Sequence, residues 1–164
     1  MDAISETQAN TVPQVKGGVV PYLQVDGAMK AAEFYQRAFG AEIAFAYPID
    51  DKGRTMHVHL HINGSSVMLS DAFPEHGCGL EKPQGFNVML SVDDIDTWFR
   101  RAVDAGGEVV MPVAEMFWGD RYGQLRDPFG VLWAMNQPKK TALGTATLLS
   151  RPPSRAELDA ANCN

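Results

Sequence analysis

The sequence predicts an α+β fold built from two βαβββ modules. Three observations predict it: a repeat at constant offset, the same order of helical and strand periodicities in both copies, and turn glycines at matching places. "VDGAMKAAEFYQRAFGAEI" (25–43) and "VDDIDTWFRRAVDAGGEVV" (92–110) share one plan. Each opens with Val-Asp, carries an aromatic pair and closes on Gly, Glu and a β-branched residue. Gly40 matches Gly106 at an offset of 66, and the same offset sets Gly53 on Gly119 and Gly64 on Gly130.

The elements follow in order. "VVPYLQV" (19–25) reads as the first strand, alternating and rich in β-branched residues. A helix follows, with an apolar stripe of Ala28, Ala31, Ala32, Tyr35, Ala38 and Phe39 spaced three and four apart. Gly40 stands where a helix C-cap belongs. "EIAFAYP" (42–48), "TMHVHLHI" (55–62) and "SSVMLSD" (65–71) read as three strands, with "NGSS" (63–66) the hairpin turn. The second copy opens with "FNVMLSV" (86–92), then a helix with Ile95, Trp98, Phe99, Ala102 and Ala105 on one stripe and Gly106 at its C-cap. "EVVMP" (108–112), "DRYGQLRD" (120–127) and "GVLWAMN" (130–136) complete it, with Asp127-Pro128-Phe129-Gly130 as the matching turn.

The modules are therefore placed at 18–71 and 86–137, with a linker at 72–85. The polar residues 1–17 and the segment 138–164, rich in small residues and Pro, read as flexible ends. Within the second, "SRAELDAA" (154–161) has the capping-box pattern of a short helix. A net charge of −6 argues against nucleic acid and anionic membrane as partners. No apolar run approaches the roughly 20 residues needed to cross a bilayer, and the N-terminus lacks a basic start and an apolar stretch, so no secretory signal is visible. Two cysteines, Cys78 and Cys163, make no disulfide framework; reduced thiols in a cytoplasmic protein are the expectation. His76 and Cys78 in the linker are two apart, a weak metal signal beside the simpler reading of an incidental thiol in a loop.

"PYLQVDGAMKAAEFYQRAFGAE", "MHVHLHINGSSVMLSD" and "FWGDRYGQLRDPFGVLWAMNQP" together resemble the vicinal-oxygen-chelate superfamily, which includes glyoxalase I, bleomycin-resistance proteins and extradiol dioxygenases, and more narrowly its PhnB-like branch. The resemblance spans residues 19–138. It implies helices on the outer faces of two curled sheets and a ligand cavity on the concave faces. It also favours a homodimer, with modules paired within a chain or between chains.

Strand side chains alternate, so the helix-facing side should be the apolar one. That sets Met56, Val58, Leu60 and Ile62 toward the helix and His57, His59 and His61 into the cavity. Likewise Leu23, Val25, Val67 and Leu69 face the helix, against Val20, Tyr22, Gln24, Ser66, Met68 and Ser70. In the second module Phe86, Val88, Leu90, Val131, Trp133 and Met135 oppose Asn87, Met89, Ser91, Leu132, Ala134 and Asn136. The alternation in "DRYGQLRD" assigns no face.

The resemblance implies metal ligands on the first and last strands of each module, at positions held here by Val20, Met68, Asn87 and Ala134. These offer no hard donor set for a divalent ion. The three histidines then have two readings. Two of them, His57 and His59, share a displaced divalent-metal site with a third ligand from elsewhere. Alternatively, all three are hydrogen-bonding or acid–base groups on a wet pocket wall. PhnB-like sequences commonly carry a histidine at the position of His57 and an acidic or polar residue at that of His59. They often follow "DPFG" with histidine, where this chain has Val131.

In "FWGDRYG" (117–123), Phe117 and Trp118 can stack on a planar ligand and Arg121 can hold an anion, or Asp120 and Arg121 pair with each other while the aromatics fill core. The expectation is a dimeric small-molecule binder, most simply without cofactor. Its catalytic candidates are His57 and His59, and its ligand contacts Tyr22, Gln24, His61, Asn87, Trp118 and Arg121. The alternative is a divalent-metal lyase, isomerase or dioxygenase with its ion on His57 and His59. Glyoxalase I activity is not expected.

Overall fold

The computed structural model describes residues 13–139. Expectations for 1–12 and for the tail from 140, including the helix at 154–161, lie outside the described residues. Eight strands and two helices follow one another as β1 (Tyr22–Val25), α1 (Ala28–Phe39), β2 (Glu42–Ala46), β3 (Val58–Ile62), β4 (Ser65–Asp71), β5 (Val88–Ser91), α2 (Ile95–Asp104), β6 (Glu108–Glu115), β7 (Arg121–Arg126) and β8 (Leu132–Gln137). They form two four-stranded mixed sheets in the orders β1-β4-β3-β2 and β5-β8-β7-β6, with β1 parallel to β4 and β5 parallel to β8. This is the α+β pair of βαβββ modules read from the sequence, and β1 and β5 stand 66 residues apart at both ends.

Local chemistry sets the elements. Gly40 takes φ 66 and closes α1, its N–H donating to the carbonyls of Tyr35 and Gln36. A side chain at that backbone angle would be strained, which is why glycine serves there. Asn63 (φ 47) and Gly64 (φ 80) make the two-residue turn that folds β3 back on β4. The start of each helix is bonded to the end of its module's last strand. Asp71 Oδ1 accepts from Gly27 and Ala28 N–H at 2.7 and 3.0 Å, and Gln137 Oε1 accepts from Ile95 N–H at 3.0 Å, again 66 residues apart.

The helices lie against each other and share one core with the apolar sides of both sheets. Phe39 and Tyr35 of α1 pack on Trp133 of β8, with ring centroids 4.6 and 5.1 Å away. Asp127, buried in the β7–β8 turn, ties the two modules: its Oδ2 accepts from Tyr35 Oη at 2.7 Å and from Trp133 Nε1 at 3.0 Å.

Two expectations on facing are corrected. Met56 and Phe86 were placed on the helix side, but β3 begins only at Val58 and β5 at Val88, and the two residues are 65% and 54% exposed. The apolar alternation runs on in the sequence past the point where strand pairing stops. β6 continues through Pro112 to Glu115; as the edge strand of its sheet, with register irregularities between Val109 and Ala114, it tolerates a proline. The same length is used differently in the two modules: residues 47–57 form a loop after β2, whereas β6 extends the hairpin and leaves only 116–120 as its tip.

Candidate functional site

On the helix-free side of the first sheet, strand register aligns Tyr22, Met68, His59 and Phe45 in a row across β1, β4, β3 and β2. His57 precedes β3, and the peptide of Tyr47 pairs with it, Tyr47 N–H donating to His57 O at 2.9 Å. Tyr22, Gln24, His57, His59 and His61 are thereby brought onto one face.

The histidines differ in setting. His59 is 2% exposed, and its Nε2 lies 2.7 Å from Ser66 Oγ. Burial holds its pKa below the ordinary imidazole value, and the nearby His61, His57 and Lys16 add to the effect. The segment 14–16, expected as part of a flexible end, is bonded to the neighbours of His59 on this face. Lys16 N–H donates to Ser66 Oγ and Ser66 N–H to Lys16 O, both at 2.8 Å, while His61 Nε2 donates to Gln14 O at 3.0 Å.

His57 is the open end of the row. Tyr22, Phe45 and Tyr47 surround its ring at centroid distances of 5.8, 6.3 and 6.4 Å, and Phe45 meets Tyr47 edge-on at 5.1 Å. Both tyrosines are more than half exposed. His57 Nδ1 lies 3.1 Å from Tyr22 Oη, which donates to Met56 O at 3.3 Å. Gln24 is half-buried, its Nε2 reaching the Cys78 carbonyl at 3.5 Å. A cleft of about 300 Å³ opens beside it between β1 and the linker, bounded by Tyr22, Gln24, Pro83 and Phe86. Phe45 and Tyr47 were missed in the sequence because a bulge breaks the alternation of "EIAFAYP": Ile43 pairs with Leu60 on the core side, whereas Phe45 pairs with His59.

The residues expected from the second module do not join this cluster. Asn87 is exposed just before β5. Trp118 sits at the β6–β7 tip, edge-on to Phe117 at 4.9 Å and to Tyr122 at 5.9 Å. Arg121 neither pairs with Asp120 nor is left free for an anion. It binds Asp96 of α2 through both terminal nitrogens, the longer contact 2.8 Å. Asp120 instead accepts from Asn136 Nδ2 and Lys139 N–H, each at 3.0 Å, and these bonds hold its carboxyl below the usual range. Among the described residues, Asn87, Trp118 and Arg121 make no hydrogen bond or ring contact with the histidine row.

A divalent ion at the superfamily's usual positions does not fit this donor set. Val20, Met68 and Ala134 carry no carboxylate or imidazole, and Asn87 brings only one amide. At the displaced site the His57 and His59 rings are 6.5 Å apart, with one nitrogen of each already in a hydrogen bond. Among the described residues no three His, Cys, Asp or Glu side chains stand together as metal ligands do.

Comparison with known proteins bears on the family and the fold. The family model described as the Glyoxalase/Bleomycin resistance protein/Dioxygenase superfamily matches residues 15–135. The uncharacterized protein Mb0911c of Mycobacterium bovis is 40% identical over 131 residues, covering 76% of this chain and 85% of that one. Among solved structures, protein PA1353 of Pseudomonas aeruginosa superposes with a TM-score of 0.59 at 31% identity, covering 73% of this chain and 96% of that one. The PhnB protein of Bacillus cereus shares the fold, with a TM-score of 0.59 at 23% identity, covering 74% of this chain and all of the other (100%).

Proposed function

Because the chain belongs to the glyoxalase/bleomycin resistance protein/dioxygenase superfamily, we propose that it binds a small organic molecule on the helix-free face of the first sheet, without the metal of the superfamily's enzymes. The observation that carries this reading is His57 within the rings of Tyr22, Phe45 and Tyr47, the two tyrosines exposed and Phe45 half-buried. Aromatic rings contribute apolar contact area and one imidazole fixes orientation, the usual composition of a small-molecule site. Superfamily likeness alone names no ligand, since one fold hosts many chemistries.

The working form is a cytoplasmic homodimer. Support comes from Met89, Phe117 and Trp118, which the second sheet leaves 59%, 42% and 39% exposed, apolar area that a second copy would cover. No helix among the described residues is long and apolar enough to cross a membrane.

The test is metal analysis of untagged protein, dialysed and then offered Zn²⁺, Mn²⁺, Ni²⁺ and Fe²⁺ separately, beside the His57→Ala/His59→Ala variant. A thermal-shift screen of small organic molecules runs in parallel. The expected result is no stoichiometric ion, with ligand-induced stabilisation that His57→Ala removes. Near one ion per chain, abolished in the double variant, would overturn this reading in favour of a divalent-metal lyase, isomerase or dioxygenase on His57 and His59.

A further inference from the structure

We propose that Tyr22 is a positioning residue that holds His57 in the Nδ1-protonated tautomer, so that Nε2 accepts a hydrogen bond from a neutral aromatic ligand bearing an O–H or N–H group, the chemistry of a phenol. The inference rests on the reading of this face as a ligand site and names the ligand class it takes.

The argument is proton arithmetic at one hydroxyl. Tyr22 Oη has two neighbours, the Met56 carbonyl at 3.3 Å and His57 Nδ1 at 3.1 Å. A carbonyl oxygen only accepts, and a phenolic hydroxyl has a single proton to give. Both contacts are made together in one arrangement only: the tyrosine proton goes to Met56 O, and Nδ1–H donates to Tyr22 Oη. A neutral imidazole protonated at Nδ1 carries its lone pair on Nε2, and among the described residues Nε2 of His57 has no partner.

That lone pair belongs to a ring set among aromatic side chains. The rings of Tyr22, Phe45 and Tyr47 are inclined to His57 by 32°, 42° and 67°. Three aromatic rings, two of them bearing hydroxyls, and one imidazole acceptor suit an aromatic body with a single donor. A chain of net charge −6 adds no attraction for an anion. His59 does not compete for the same donor, since it is buried and Ser66 engages its Nε2.

The full chain, labelled with ¹⁵N at histidine, reports the tautomer directly by NMR through the shifts of Nδ1 and Nε2. The partner measurement is calorimetric titration with 2-naphthol and with 2-methoxynaphthalene, which has the same ring system and no donor. Tyr22→Phe removes only an exposed hydroxyl, so the fold is retained and the variant serves both measurements. We expect an Nδ1–H signature for His57 that Tyr22→Phe abolishes. We also expect 2-naphthol to bind about tenfold more tightly than its methyl ether, the difference one neutral hydrogen bond makes, and this preference to shrink below about threefold in Tyr22→Phe. An Nε2–H tautomer in the parent protein, or equal affinity for the two probes, overturns the inference and leaves the ligand-binding reading standing. Failure of both probes to bind also overturns it, and the ligand-binding reading is then judged separately by the thermal-shift screen.

Discussion

Replacing Asp127 by Asn should cost about 3 kcal/mol of folding stability, because its carboxylate is saturated with donors that an amide cannot all satisfy. Oδ1 accepts the N–H groups of Phe129 and Val131, both at 2.9 Å, while Oδ2 accepts Tyr35 Oη and Trp133 Nε1. In Asp127→Asn the amide oxygen keeps the two backbone donors, and the NH₂ then faces the tyrosine hydroxyl and the indole N–H. The hydroxyl can rotate and accept. The indole cannot, and Trp133 is 0% exposed, so no water replaces the lost partner. One stranded buried donor costs roughly 1–3 kcal/mol, and loss of charge assistance in the remaining bonds adds about 1 more. At a urea slope near 2 kcal/mol/M the unfolding midpoint should fall by about 1.5 M. Tyr35→Phe removes a donor and strands no buried donor in its place, so it should cost about 1–2 kcal/mol. The double variant should lose less than the sum, since the two residues share one bond. Urea unfolding followed by fluorescence measures all three. An Asn variant within about 0.5 kcal/mol of the parent, the range of an inconsequential surface change, would refute the reasoning.

Three further outcomes are expected. A methyl group added by Gly123→Ala would come within 3.0 Å of both Phe99 and Val113 and 3.3 Å of the Met111 carbonyl, so this overpacking should cost about 1–3 kcal/mol in the same unfolding assay. The lowered pKa of His59 gives a pH dependence of definite sign: below about 6.5 the unfolded chain takes up a proton that the covered imidazole refuses. Stability should therefore decline from pH 7 toward pH 5, ahead of the carboxylates, and His59→Asn should flatten that part of the curve. Arg54 holds the Glu75 carboxyl down to about 2 through a 2.6 Å ion pair, so Arg54→Ala should return it toward the ordinary glutamate range in a ¹³C NMR titration.

Much of the architecture was legible because alternation and helical spacing are local properties of the chain. Val58, Leu60 and Ile62 face the core as their period demands, and every residue of the α1 stripe is buried. The histidine face followed from the same alternation. What stayed hidden depends on distant partners. Asp96, 25 residues from Arg121, takes its guanidinium only because α2 lies beside β7. The bonds that tie Ser66 and His61 beside His59 use the backbone of Lys16 and Gln14, and a peptide N–H or carbonyl has no sequence signature. Strand ends at Met56 and Phe86 were overrun because alternation does not record where pairing stops.

The unequal use of residues after β2 and β6 bears on how such a molecule diversifies. The 66-residue spacing survives although one half places those residues in the loop 47–57, pinned by the Asp50–Arg54 pair, and the other extends a hairpin that carries Phe117 and Trp118 at its tip. Each half sets its rim by using the same length of chain as loop or as ladder, so length alone does not show where the two halves differ.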